Sequence, residues 1–127
     1  MKMIKREVTE KIQDFARKFP VISIMGPRQS GKTTLSRAAF PEYKYVSLER
    51  TVDRELVQTD PHGFLESVRN EKGIIVDEAQ NVPDLFSYLQ GEVDEYKING
   101  RFILTGSQNF MVMRNVSRDT EISISII

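Results

Sequence analysis

Apolar residues recur along the chain at two spacings, and the changes between them mark out the elements. Val8, Ile12, Phe15 and Phe19 fall at i, i+4, i+7 and i+11, so the spacing predicts an amphipathic helix over 7–19, stopped by Pro20. Val21-Ile22-Ser23-Ile24-Met25 is an apolar run of strand length. After a polar, glycine-containing stretch, a short helical pattern runs to Phe40, and Pro41 ends it. Residues 43–48 predict a second strand with Tyr45, Val46 and Leu48 as its apolar content. Thr51 is placed to cap a short helix carrying Val52 and Leu56. Asp60-Pro61 reads as an N-cap followed by proline in the first helical position, with Phe64, Leu65 and Val68 on the inner face. Glu71-Lys72-Gly73 is a turn, and Ile74-Ile75-Val76 is a strand apolar on both faces. Beyond Pro83-Asp84, Leu85, Leu89, Val93 and Tyr96 share one helix face. Gly91 within that helix costs about 1 kcal/mol relative to Ala, and a break there is compatible with the pattern. Asn99-Gly100 turns the chain into a fourth strand over 101–105.

Strands alternate with helices throughout, which predicts βαβ units: an α/β fold, its sheet mostly parallel, with helices on both faces. A length of 127 residues suits one domain, and no linker or repeat divides it. Lys+Arg and Asp+Glu are both 18, so no whole-domain basic footprint for nucleic acid exists. The first helix is locally basic through Lys2, Lys5, Arg6, Lys11, Arg17 and Lys18; a solvated face is the plainer reading and a nucleic-acid surface the other. Cysteine is absent, which excludes disulfides and thiolate metal sites. The charged N-terminus does not fit a signal peptide, and no apolar run has membrane-spanning length; the expectation is a cytoplasmic protein.

The first strand leads into Gly26-Pro27-Arg28-Gln29-Ser30-Gly31-Lys32-Thr33-Thr34, which fits G-x-x-x-x-G-K-[ST], the Walker A pattern, without mismatch. A polyphosphate is dense negative charge and needs many donors close together. Gly26 and Gly31 allow tight turning, so successive N–H groups approach the phosphate oxygens. The following helix adds its N-terminal N–H groups and dipole. Lys32 suits the β- and γ-phosphates, Thr33 suits Mg²⁺, and Thr34 suits the α-phosphate. The alternative is a glycine turn that binds nothing; the flanking strand and helix weigh against it.

The third strand ends in Asp77-Glu78, a Walker B-like pair. Asp77 is placed to hold Mg²⁺ beside Thr33, through water, and Glu78 to deprotonate an attacking water. Capping of the next helix is the other use for such a pair. The fourth strand ends at Thr105-Gly106-Ser107-Gln108. Ser107 or Gln108 can bond the γ-phosphate or the water, or close the strand in a turn, and the pattern does not choose among Thr105, Ser107 and Gln108. His62, the only histidine, reads as a surface residue.

These motifs, with Tyr45-Val46-Ser47-Leu48-Glu49, Asp60-Pro61 before Phe64-Leu65, Val76-Asp77-Glu78-Ala79-Gln80 and Leu104-Thr105-Gly106-Ser107-Gln108, resemble the prokaryotic ATPases of the AAA superfamily. The likeness is to AAA-domain ATP-binding proteins that carry a separate C-terminal domain of unknown function, and it covers about residues 5–116. It implies a P-loop NTPase three-layer sandwich with an additional catalytic glutamate. It implies Lys32 and Thr33 on phosphates and Mg²⁺, Asp77 on the metal, Glu78 as base, and the Ser107-Gln108 region as sensor. The implied activity is hydrolysis of ATP to ADP and phosphate in the complete protein; the alternative is a non-hydrolysing nucleotide-binding module or an inactive truncated remnant. No GTPase-type base-reading motif favours GTP over ATP.

The expected organisation is one domain over 1–127: a first helix to 20, a core over 21–116, and an atypical tail over 117–127, in a truncated or frame-shifted product. Its Ile-Ser-Ile-Ser-Ile alternation is a strand pattern, which either fills the missing last strand position beside the phosphate-loop strand or stays an exposed end. An arginine finger given in trans would need a homo-oligomer; Arg114 and Arg118 are the residues conceivable for it.

Overall fold

The computed structural model describes residues 5–27, 31–69, 72–107 and 121–125. Its elements run α1 (Lys5–Ala16), β1 (Val21–Met25), α2 (Lys32–Ala39), β2 (Lys44–Ser47), α3 (Thr51–Thr59), α4 (Pro61–Val68), β3 (Ile74–Asp77), a 3₁₀ turn (Ala79–Asn81), α5 (Leu85–Tyr96), β4 (Phe102–Gly106) and β5 (Glu121–Ser125). The strands form one sheet in the order β2-β3-β4-β1-β5, every pair parallel. The tail therefore supplies the strand beside β1, with Ile122 opposite Ile22 and Ile124 opposite Ile24.

Strand alternation sends successive side chains to opposite faces, and helices cover both. Val21, Ile74, Val76, Phe102 and Leu104 pack with Val57, Leu65 and Val68 and with Leu85, Leu89 and Val93. Ile22, Ile24, Ile75 and Ile103 pack on the other face with Ile12 and Ala16 of α1 and Leu35 and Ala39 of α2. The result is three layers, an α/β sandwich.

The structure refines several of the expected elements. Helix α1 ends at Ala16, and the buried Ala16 joins Ile12 in the stripe, while Phe19 packs from beyond the helix end. A short 3₁₀ turn follows β3, where the sequence shows no helical period. Helix α5 runs unbroken through Gly91, because Leu85, Leu89 and Val93 bury one face and outweigh the weak helix former. A Cβ added at Gly91 meets nothing within 4 Å. Gly91→Ala is therefore expected to stabilise the fold by about 0.5–1 kcal/mol, read from the urea midpoint. As expected, Asp60 caps α4, accepting from the Gly63 N–H at 3.0 Å. His62 is exposed.

The sheet end away from the phosphate loop is held by the Asn99-Gly100 turn. Gly100 has φ 73, donates its N–H to the Phe19 carbonyl at 2.8 Å, and accepts from the Tyr43 hydroxyl at 2.6 Å. Burial raises the Tyr43 pKa above its ordinary 10.0, with Arg101 opposing. A raised folded value means the stabilising contribution is complete below pH ~10 and is lost as pH rises beyond it. Unfolding free energy is thus expected to fall above pH ~10, and Tyr43→Phe to flatten part of that slope in denaturant titrations.

Candidate functional site

The site forms where β1, β4 and β3 end. The N–H of Gly26 donates to the Gly106 carbonyl at 3.1 Å, which extends the β1–β4 pairing into the start of the glycine loop. Gly31 then takes a left-handed conformation, φ 88 and ψ 8, and becomes the N-cap of α2. An L side chain rarely adopts that conformation, which accounts for glycine there. The Gly31 carbonyl accepts from Leu35 N–H at 2.8 Å, so α2 is formed from its first turn. Arg28, Gln29, Ser30, Gln108, Arg114 and Arg118 lie outside the described residues.

Lys32 is buried, with 4% exposure, and its Nζ donates to the Pro27 carbonyl at 3.3 Å. The ammonium thus sits back over the start of the loop. Ser36 fixes the same turn, donating to the Lys32 carbonyl at 2.7 Å. Thr34 is exposed on the first turn of α2.

Asp77 ends β3 with 7% exposure and its carboxylate gathers hydroxyls from three elements. Thr33 donates to Oδ1 at 3.1 Å, Thr105 to the same oxygen at 2.5 Å, and Tyr45 to Oδ2 at 2.6 Å. The sheet explains the meeting. Strand β4 lies between β1 and β3, so the phosphate loop and Asp77 start two strand spacings apart, roughly 10 Å. Helix α2 crosses back over β4 and β3 and carries Thr33 to Asp77. Asp77 and Thr105 alternate with Val76 and Leu104, so both face the α1–α2 side, as Tyr45 does.

Glu78, with 9% exposure, follows in a left-handed conformation, φ 56 and ψ 45. A non-glycine residue there carries strain of order 1–3 kcal/mol, and such strain clusters at functional sites. Glu78 Oε1 accepts from Gln80 Nε2 at 2.6 Å. The amide oxygen of Gln80 is buried with no hydrogen-bond partner among the described residues.

The structure thus brings Thr33 against Asp77, with Lys32 and Glu78 as their chain neighbours. Ser107 is half-buried just past β4, and it is Thr105, not Ser107, whose contact with Asp77 is seen. Two members went unnoticed in the sequence: Tyr45, read as apolar strand content, and Gln80. Burial pushes the Tyr45 phenol up to about 12, and its bond to Asp77 and that carboxylate's charge add to the effect, against Ser47 and Arg37. The strand period could have placed Tyr45 and Ser47 on one face, but not beside Asp77.

A sequence profile of the family described as AAA domain matches residues 18–124. The chain belongs to the AAA domain family. The matched span takes in β5. The chain is 36% identical over 107 residues to the uncharacterized protein Rv2008c of Mycobacterium tuberculosis and, equally, to the uncharacterized protein Mb2031c of Mycobacterium bovis. Each match covers 81% of this chain and 23% of the relative, so the AAA domain spans about a quarter of the curated relatives it matches. The structure of C. elegans PCH-2 is similar in fold, with TM-score 0.53 and 17% identity, over 96% of this chain and 42% of that one. The AAA domain is accordingly a nucleotide-binding core of the ATPase family with a P-loop fold. No helix among the described residues is long and apolar enough to cross a membrane.

Proposed function

We propose that this AAA domain binds ATP with Mg²⁺ between its glycine loop and Asp77, and that it hydrolyses ATP to ADP and phosphate. The observation that carries the reading is the 3.1 Å approach of the Thr33 hydroxyl to the Asp77 carboxylate. It joins the first turn of α2 to the end of β3, 44 residues apart in the chain. Its donor set fits Mg²⁺, a hard cation that takes hydroxyl and carboxylate oxygens together with phosphate and water.

In this reading the N–H groups at the start of α2 and the Lys32 ammonium hold the β- and γ-phosphates. Thr33 and Asp77 are the residues that would hold the cation. Bound there, Mg²⁺ offsets the charge that develops on the phosphoryl oxygens. Glu78 takes a proton from the water that attacks the γ-phosphorus, and the bond to the ADP oxygen breaks. Gln80 fixes the Glu78 carboxylate, and its unpartnered amide oxygen can accept from a water. Thr105 holds Asp77 from β4.

The nucleic-acid reading loses support on α1. The exposed Arg6, Lys11, Arg17 and Lys18 are interleaved with Glu7, Glu10 and Asp14, and Arg17 and Lys18 both pair with Asp14, at 3.5 and 3.3 Å. Calorimetric titration with ATP and GTP, with and without Mg²⁺, alongside a phosphate-release assay, tests the proposal. Stoichiometric Mg-ATP binding with phosphate release supports it. Binding without release leaves a nucleotide-binding module, and absence of binding refutes the reading.

A further inference from the structure

The geometry assigns Tyr45 a role as the positioning residue of the Asp77 carboxylate, tying that carboxylate to the phosphate-loop helix. The inference rests on the Mg-ATP reading above and deepens it.

Asp77 is the hub. Its Oδ1 receives both threonine hydroxyls, from Thr33 at 3.1 Å and Thr105 at 2.5 Å. Rotation about Cβ–Cγ moves both oxygens together, so these two bonds resist it from one side of the carboxylate only. The Tyr45 phenol at 2.6 Å on Oδ2 adds a restraint from the opposite side, on the other oxygen. A buried carboxylate with a fixed plane presents its lone pairs in one direction, and outer-shell partners of this kind set how well a ligand oxygen holds a metal.

Tyr45 is itself anchored. The Arg37 guanidinium stacks 4.5 Å from the centroid of its ring. Arg37 lies four residues after Thr33, one turn along the same face of α2. A closed circuit results: Thr33 on α2 to Asp77 on β3, Asp77 to Tyr45 on β2, and Tyr45 to Arg37 back on α2. The register allows it, since Ser47 pairs with Asp77 and Tyr45 stands two residues earlier on the same face. Asp77 is thus linked to α2 by two routes, directly through Thr33 and through Tyr45 and Arg37. Tyr45 and Ser47 also line an open cleft of about 440 Å³ with Val46, Glu49, Arg50 and Asp53, at the sheet edge that β2 forms.

Tyr45→Phe removes the hydroxyl and keeps the ring under Arg37. The test titrates Mg²⁺ against the full chain in the presence of ADP, followed by thermal shift, which needs no hydrolysis. The expected result is a Mg²⁺ half-saturation raised about 10-fold or more in Tyr45→Phe, with ADP affinity in EDTA within about twofold of the parent. A purely structural role would lower both affinities together, and that outcome overturns the assignment. So does an unchanged Mg²⁺ half-saturation when the parent responds to Mg²⁺. A parent whose ADP affinity ignores Mg²⁺ overturns the metal site itself, and this role with it. Should Tyr45→Phe fail to fold, Arg37→Gln carries the test from an exposed position. It is expected to raise the Mg²⁺ half-saturation about threefold, and no change overturns the circuit.

Discussion

Glu78→Gln is expected to cut ATP turnover by about 100-fold or more while leaving ATP affinity within about threefold. The substitution removes the proton acceptor and little else. Glutamine has the same length, and it accepts the same left-handed backbone, φ 56, at the same cost as glutamate. Its side-chain oxygen can still accept from Gln80, as Glu78 Oε1 does at 2.6 Å. Asp77, Thr33 and Lys32 are untouched, so the phosphate cradle and the metal-holding pair remain. Phosphate release under single-turnover conditions isolates the chemical step, and a fluorescent ATP titration reads affinity. Turnover at the parent rate would remove Glu78 from the proposed mechanism and leave the nucleotide site standing.

The reach of the sequence tracks how local the chemistry is. The glycine loop was legible because its nine residues carry their own reasons: glycine for the left-handed cap, lysine for charge, threonine for oxygen. Asp77-Glu78 stood out as charge directly after a strand apolar on both faces. That strand's two apolar faces, with strands and helices alternating along the chain, gave a helical layer on each side of the sheet. The tail's Ile-Ser-Ile-Ser-Ile alternates in period two and gave a strand, with a place beside β1 as one of two alternatives; the pairing with β1 decides between them.

Tyr45 could not be found this way. Its meaning comes from β2 lying beside β3 with Ser47 opposite Asp77, a register that links residues about thirty positions apart. Thr105 stood among the candidates at the end of its strand, but only the strand order puts it over Asp77. The helix boundaries failed for a milder reason. Phe19 keeps the helical spacing of α1 although the helix ends at Ala16, because burial against the sheet selects apolar residues whether or not the backbone is still helical.

Lys32→Met is expected to weaken Mg-ATP binding by about 10- to 150-fold, the equivalent of the 1.5–3 kcal/mol that a charge-assisted hydrogen bond contributes. Methionine keeps most of the lysine stem, so the packing of a residue only 4% exposed survives. What is lost is the ammonium, now 3.3 Å from the Pro27 carbonyl, which in the proposed complex would leave that carbonyl for phosphate oxygens. The folded protein without nucleotide gives up one hydrogen bond but no longer keeps a charge out of water, so its stability is expected to change by no more than about 1 kcal/mol. This separates the two explanations for any loss of affinity. A large fall in Mg-ATP affinity with an unchanged denaturation midpoint locates the phosphates at Lys32. A fall in both together would make Lys32 a structural lysine, and unchanged affinity would place the nucleotide's phosphates elsewhere on the sheet.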